Sequence, residues 1–348
     1  MSTRTNVTSP QRGEVGGPIP AGERGRWGRR LTVAAIAVVW IAAAIAGGIS
    51  GLFQTFGPAP LGRDLEVSTI VVDRDGKLLR AYLTTEGRWR LPATRNDVDP
   101  RFLEALLAYE DKRFYYHRGV DPLALMRAAY QLATQGHIVS GGSTITMQVA
   151  RLMEPRAKRS VYAKLHEAVR ALQLEWALSK DEILSLYLTL APYGGNLEGI
   201  RAASLAYFGK EPRRLTLGET ALLVALPQSP ELRRPDRYPV AAKRARDRVL
   251  DRIAGRGLYS AAEIIHAKEE PVPNERKPMP LSAPHSADEA TALSPKEKVL
   301  RLTIDGFLQR TLEKLARERA QSLGPDLSVA IVIIDNATGE VVARVASP

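Results

Sequence analysis

Three stretches of this sequence combine residue types that could do chemistry. The first, Asp99–His117, reads DPRFLEALLAYEDKRFYYH. Phe102, Leu106, Glu110 and Phe114 lie four apart, with Leu103 and Leu107 beside them, so Glu110 belongs to the apolar face of its own helix. A carboxylate there is either paired with a buried cation or desolvated, with a pKa raised towards a value useful for proton transfer. Asp111, the next residue, points elsewhere and is expected to be solvated. On the residues alone, a structural salt bridge and a catalytic acid or base both stay open.

The second stretch is SGGSTITMQ, Ser140–Gln148. Two glycines followed by Ser143, Thr144 and Thr146 offer backbone N–H groups and hydroxyls suited to an oxyanion or phosphate. It is not a Walker loop, because no Gly-Lys-Ser/Thr follows, and it equally fits a plain helix start with a good N-cap. The third stretch is basic: Arg151, Arg156, Lys158, Arg159 and Lys164, then Glu167. Lys164 and Glu167 are three apart and share one side of a helix. They read either as a surface ion pair or as a cationic cradle for pyrophosphate beside a second carboxylate. His166-Glu167 starts like a zinc-protease helix, but Arg170 stands where the second histidine is required, which excludes it.

Other chemistries are excluded by what the chain lacks. It has no cysteine, which removes disulfides, thiolate nucleophiles, iron–sulfur clusters and cysteine-based zinc sites. Its 5 histidines show no paired spacing. There is neither Ser-x-x-Lys nor Lys-Thr-Gly, so penicillin-type serine acyl transfer does not reside here. The run Lys243, Arg244, Arg246, Arg248 reads as the solvated face of a helix that buries Val249, Leu250 and Ile253.

These residues need a frame, and 348 residues, 45% hydrophobic and 25% charged, suffice for one large domain or two modest ones. The net charge of +11 favours an acidic partner. Leu31–Phe53 carries no charge and would span about 35 Å as a helix, enough to cross a bilayer. Arg24, Arg26, Arg29 and Arg30 precede it, so the basic tail 1–30 is expected in the cytoplasm and the rest outside. Export makes nucleic acid a poor partner and a lipid-linked phosphate a good one. A hairpin is expected at Val67–Val72 and Leu78–Leu83, then a helical region from Asp99 to about Arg256. A Pro-rich linker (257–299) follows. A helix at Asp305–Leu323 and two β runs, Val329–Ile334 and Val341–Val345, make residues 300–348 a short α+β fragment.

In order and spacing, EDKRFYYHRGVDP (Glu110–Pro122), GGSTITMQVARL (Gly141–Leu152), KLHEA (Lys164–Ala168), YLTLAPYGGNLEGIRAAS (Tyr187–Ser204) and ALLVALPQSP (Ala221–Pro230) resemble the motifs of family 51 peptidoglycan glycosyltransferases. The charge-free segment before them and LTIDGFLQ (Leu302–Gln309) after them resemble a class A penicillin-binding protein of the 1C type. The resemblance implies a mainly α, lysozyme-like glycosyltransferase domain at 65–256, behind one transmembrane anchor at 31–53. Residues 300–348 would be the start of a transpeptidase domain, with no transpeptidase activity expected from this chain.

The same resemblance implies polymerisation of lipid II into β-1,4 glycan with inversion and release of polyprenyl pyrophosphate, inhibited by moenomycin. Glu110 and Glu167 would be the catalytic pair. Asp111, His117, Ser143, Thr144, Gln148, Arg151, Arg159 and Lys164 would bind substrate, with a divalent cation (Mg or Mn) and no organic cofactor. Partners would be lipid II, lipid-linked glycan, the membrane and other cell-wall synthesis proteins, at the outer face of the inner membrane. Ala163, Met147 and Thr189 depart from the family pattern, where an arginine, a glutamine and an asparagine are usual. A non-catalytic lipid II-binding scaffold is the alternative reading, and a glycan hydrolase explains the basic stretch less well.

Overall fold

Asp99 and Pro100 start the first helix, α1 (Pro100–Glu110): the Asp99 carboxylate accepts the Arg101 N–H at 2.9 Å, and proline is pre-set for the first turn. The helix ends at Glu110, short of the continuous pattern expected to His117, because Asp111 leaves helical geometry. Phe114 is still buried, but from the turn that follows. The structure, a computed structural model, describes residues 36, 40, 47, 48, 51, 53–135, 142–155, 160–324 and 327–346. The anchor expected over 31–53 and the basic tail lie largely outside these residues. Among the described residues no helix is long and apolar enough to cross a membrane.

Ala59 onward forms one compact unit. Its helices after α1 are α2 (Pro122–Gln135), α3 (Ile145–Met153), α4 (Val161–Ala177), α5 (Lys180–Leu190), α6 (Ile200–Phe208), α7 (Leu217–Ala225), α8 (Pro239–Ala254), α9 (Ala261–Glu269), α10 (Pro284–Leu293) and α11 (Gly306–Leu323). The mainly α class is what the sequence predicts. Serine and threonine caps start several of them, and Ser179, Thr216 and Ser260 each form a capping box with a glutamate three residues on. In α7 every residue but Glu219 is buried, so this helix runs through the core, packed on α1 and α8. On the other side of the site, α3 packs against α4 and α5.

Strands β1 (Ile70–Val72) and β2 (Leu78–Ala81) form the expected hairpin, with β6 (Val299–Arg301) joining parallel to β1. Short strands β3 (Trp89–Arg90), β5 (Leu197–Glu198) and β4 (Pro192–Gly194) make a second sheet, in that order. The strands β7 (Ala330–Ile334) and β8 (Val341–Ala346) pair antiparallel, with α11 against β8.

The linker expected at 257–299 is largely folded: it contains α9 and α10, and its extended part bonds back to the domain through Lys277 N–H to the Ala206 carbonyl and Ser282 N–H to the Leu79 carbonyl. Its prolines fix extended backbone and start α10. Arg246 corrects a second expectation. It is 1% exposed rather than solvated, donating to the Glu270 and Lys268 carbonyls at 2.5 and 2.6 Å and so tying α8 to the end of α9.

Candidate active site

Because α1 stops at Glu110, this carboxylate stands at a helix end facing α3 and the turn after α7. It is half-buried and accepts two amide N–H groups: Gln148 Nε2 at 3.0 Å on Oε2 and Gln228 Nε2 at 2.7 Å on Oε1. Burial pushes its pKa up, opposed by those two hydrogen bonds and by the fields of Arg252 and Arg233. Among its described contacts no cation pairs with it directly. The buried Tyr187 hydroxyl feels the charge of Glu110 and is itself held well above its ordinary pKa, chiefly by burial.

Asp111 is not solvated. It is buried, with both oxygens 2.9 and 3.0 Å from His117 Nε2, and it accepts the Ile145 N–H, the first of α3, at 2.9 Å. A carboxylate at a helix N-terminus satisfies an orphan donor and meets the positive end of the dipole. Asp111 and His117, expected to bind substrate, are buried, and Asp111 fixes α3 to the end of α1 while holding His117. Thr144 is buried too. Its hydroxyl accepts the Met147 N–H at 3.1 Å and donates to the Gly119 carbonyl, the helix-start role of the two open for this segment. Gly119 has φ +81°, and a Cβ there would lie 2.6 Å from the Ala171 carbonyl oxygen of α4, so only glycine lets this loop descend to meet Thr144.

Ser143, by contrast, faces a cation. Lys164 Nζ is 2.5 Å from Ser143 Oγ and 2.8 Å from Glu167 Oε2, and Lys164 and Glu167 keep 44% and 14% of their side chains exposed. A half-exposed ammonium between a hydroxyl and a carboxylate can receive an anion from the cleft. Arg151, on the last turn of α3, is exposed. Arg159 and the neighbouring 156–158 lie outside the described residues. His166 and Arg170 turn to Glu154, at 3.4 and 2.9 Å. Among the described residues no three His, Asp or Glu side chains come together as metal ligands.

The departures resolve differently. Thr189 is buried, and its hydroxyl accepts the Ala93 N–H at 3.2 Å, a structural position. Ala163 and Met147 are both buried.

Glu110, Asp111, Ser143 and Thr144 line one polar cavity of about 240 Å³ together with Arg127, Arg252 and Arg256. Burial and repulsion from Arg252 and Arg127 hold the Arg256 guanidinium below its ordinary pKa. Like charges gathered in one cavity are suited to an anionic ligand. A larger cavity of about 830 Å³, under Leu61, Pro92 and Leu186, contains neither glutamate. The sequence reading missed Gln228, Arg233, Arg252 and Arg256. Only Gln228 carried a signal, inside ALLVALPQSP.

A model of the transglycosylase family matches residues 75–254, just over half of the chain. The chain belongs to the transglycosylase family. Within it, the chain is 45% identical to penicillin-binding protein 1C of Escherichia coli (strain K12), over 80% of this chain and 36% of that protein. It is 39% identical to penicillin-binding protein 1A of Pseudomonas aeruginosa, over 66% of this chain and 28% of that one. Penicillin-binding protein 1F of Bacillus subtilis (strain 168) is 32% identical, over 81% and 41%. The chain thus spans less than half the length of these relatives. A solved structure of penicillin-binding protein 1A from Haemophilus influenzae aligns with 79% of this chain and 34% of that one, at TM-score 0.34 and 19% identity, a likeness too slight to bear on the fold. Residues 75–254 are its transglycosylase domain.

Proposed function

We propose that this transglycosylase polymerises lipid II, with the growing lipid-linked glycan as donor and lipid II as acceptor. Glu110 takes the proton of the acceptor 4-hydroxyl, whose oxygen attacks the donor anomeric carbon. The α-linked pyrophosphate leaves and a β-1,4 bond forms with inversion. The observation that carries this reading is the Glu110 carboxylate, half-buried, raised in pKa by burial and held by two neutral amides. A base so placed contributes about 10²–10⁴-fold. A scaffold that only bound lipid II would have no use for it.

The Ser143–Lys164–Glu167 group supports a donor side that receives the departing pyrophosphate, with Arg151 and Arg159 adding charge. Arg127, Arg252 and Arg256, which line the same cavity as Ser143, support a second anionic substrate. Glu167, with one oxygen engaged by Lys164, would be the residue to help hold Mg²⁺ or Mn²⁺. Such an ion supplies further charge neutralisation for the leaving group.

A lysozyme-like arrangement of the helical domain, an anchor at 31–53 and a catalytic domain outside the cytoplasmic membrane complete the proposal. Exposed Tyr116 (87%), Leu123, Met126, Tyr130 and Tyr162 support apposition to a lipid surface. Other cell-wall synthesis proteins as partners, and no transpeptidase activity from this chain, belong to the same reading. Labelled lipid II incubated with the detergent-solubilised chain should give a ladder of glycans that moenomycin abolishes. Absence of any polymer, with lipid II still bound, would favour the scaffold.

A further inference from the structure

One of the two amides that hold Glu110 is itself held. Gln228 donates from Nε2 to Glu110 Oε1 at 2.7 Å, while its own carbonyl oxygen accepts from Arg233 Nη1 at 3.1 Å. The same Nη1 is anchored on the Ala225 carbonyl at 2.7 Å, at the end of α7. A carboxamide has nearly the same shape either way round, so sterics alone do not decide which end meets the carboxylate. Chemistry does. Arg233 has donors only and Glu110, when ionised, accepts only, so the Gln228 oxygen must face the arginine and its NH₂ the glutamate.

Gln228 is exposed, so its side chain contributes little to the core. Its value lies in what it does to Glu110. An arginine directly on that carboxylate would hold it ionised but depress its basicity. With Gln228 interposed, the positive charge stands one residue away and the contact itself is a neutral N–H. Resting on the reading of Glu110 as the base, we infer that Gln228 and Arg233 are positioning residues that orient the base and set its basicity, Arg233 acting through Gln228.

The test is the pH profile of kcat/KM for lipid II polymerisation by the full chain in bilayers. The variants are Gln228→Glu, Gln228→Ala, Arg233→Met and the double Gln228→Ala/Arg233→Met. Gln228→Glu is isosteric at an exposed position, so folding is not at stake. A like charge beside Glu110 should move the acid limb up by roughly one to two pH units. Gln228→Ala should move it the same way by less. Arg233→Met should lower kcat/KM, and removing Gln228 as well should cost little more, because the two act in series. An acid limb unmoved in both Gln228 variants, or losses that multiply in the double variant, would overturn the inference alone. A wild-type chain that makes no glycan would overturn the reading beneath it as well.

Discussion

Gln148, in α3, donates to the carboxylate of Glu110, the last residue of α1, at 3.0 Å. Two motifs 38 residues apart thus meet in one hydrogen bond, which ties the Glu110 carboxylate to α3. The end of α1 and the start of α3 are joined a second time, by Asp111 on the Ile145 N–H.

The second joint should be a stability element. Asp111→Ala would strand the Ile145 N–H and the His117 imidazole, both buried, at a cost of about 2–4 kcal/mol. Urea denaturation checks this, and a loss below about 1 kcal/mol would contradict it.

The raised pKa of Glu110 fixes a sign. As the proposed base, Glu110 must be ionised to act, so kcat/KM should fall as pH drops through a value above the ordinary glutamate range of about 4.3, and stay high above it. A profile still flat at about pH 4 would contradict the burial argument.

How much of this was legible in the sequence varies by residue. The start of α1 was, since the helical region was expected from Asp99, and so was the desolvation of Glu110. The end of α1 was not. Phe114 continues the four-residue spacing, yet it reaches the core from a turn, and periodicity cannot distinguish the two. Gln228 and Arg233 lie more than 100 positions from Glu110, and only the packing of α7 on α1 brings them there. Arg246 looked like one of a solvated run because its partners are backbone carbonyls, which no residue type announces.

Arg246 carries a prediction of its own. Arg246→Ala leaves the Glu270 and Lys268 carbonyls without their buried donor, costing roughly 2–4 kcal/mol. Lys243→Ala, on the same helix but exposed, should change stability by less than about 0.5 kcal/mol. Thermal unfolding of the two variants should separate them clearly, and equal effects would contradict the buried role.

Lys164 is expected to act on the leaving group. Lys164→Ala should lower kcat/KM about 10²-fold with little change in unfolding midpoint, since the side chain is 44% exposed. Steady-state kinetics check this, and a loss under about threefold would remove Lys164 from the proposed donor side.

The exposed apolar side chains make a membrane prediction. A fragment from Ala59 onward should still sediment with lipid vesicles, and Leu123→Asp with Met126→Asp should weaken that binding tenfold or more, at about 1.5–3 kcal/mol per buried side chain. Unchanged sedimentation would place the lipid contact elsewhere.

The most direct test compares the wild-type chain with Glu110→Gln on labelled lipid II, with products separated on a gel. The wild type should make a ladder of glycans, and the variant, equally folded, should lose at least about 10²-fold in rate. A variant that builds the ladder at the wild-type rate would contradict the assignment of Glu110 as the base.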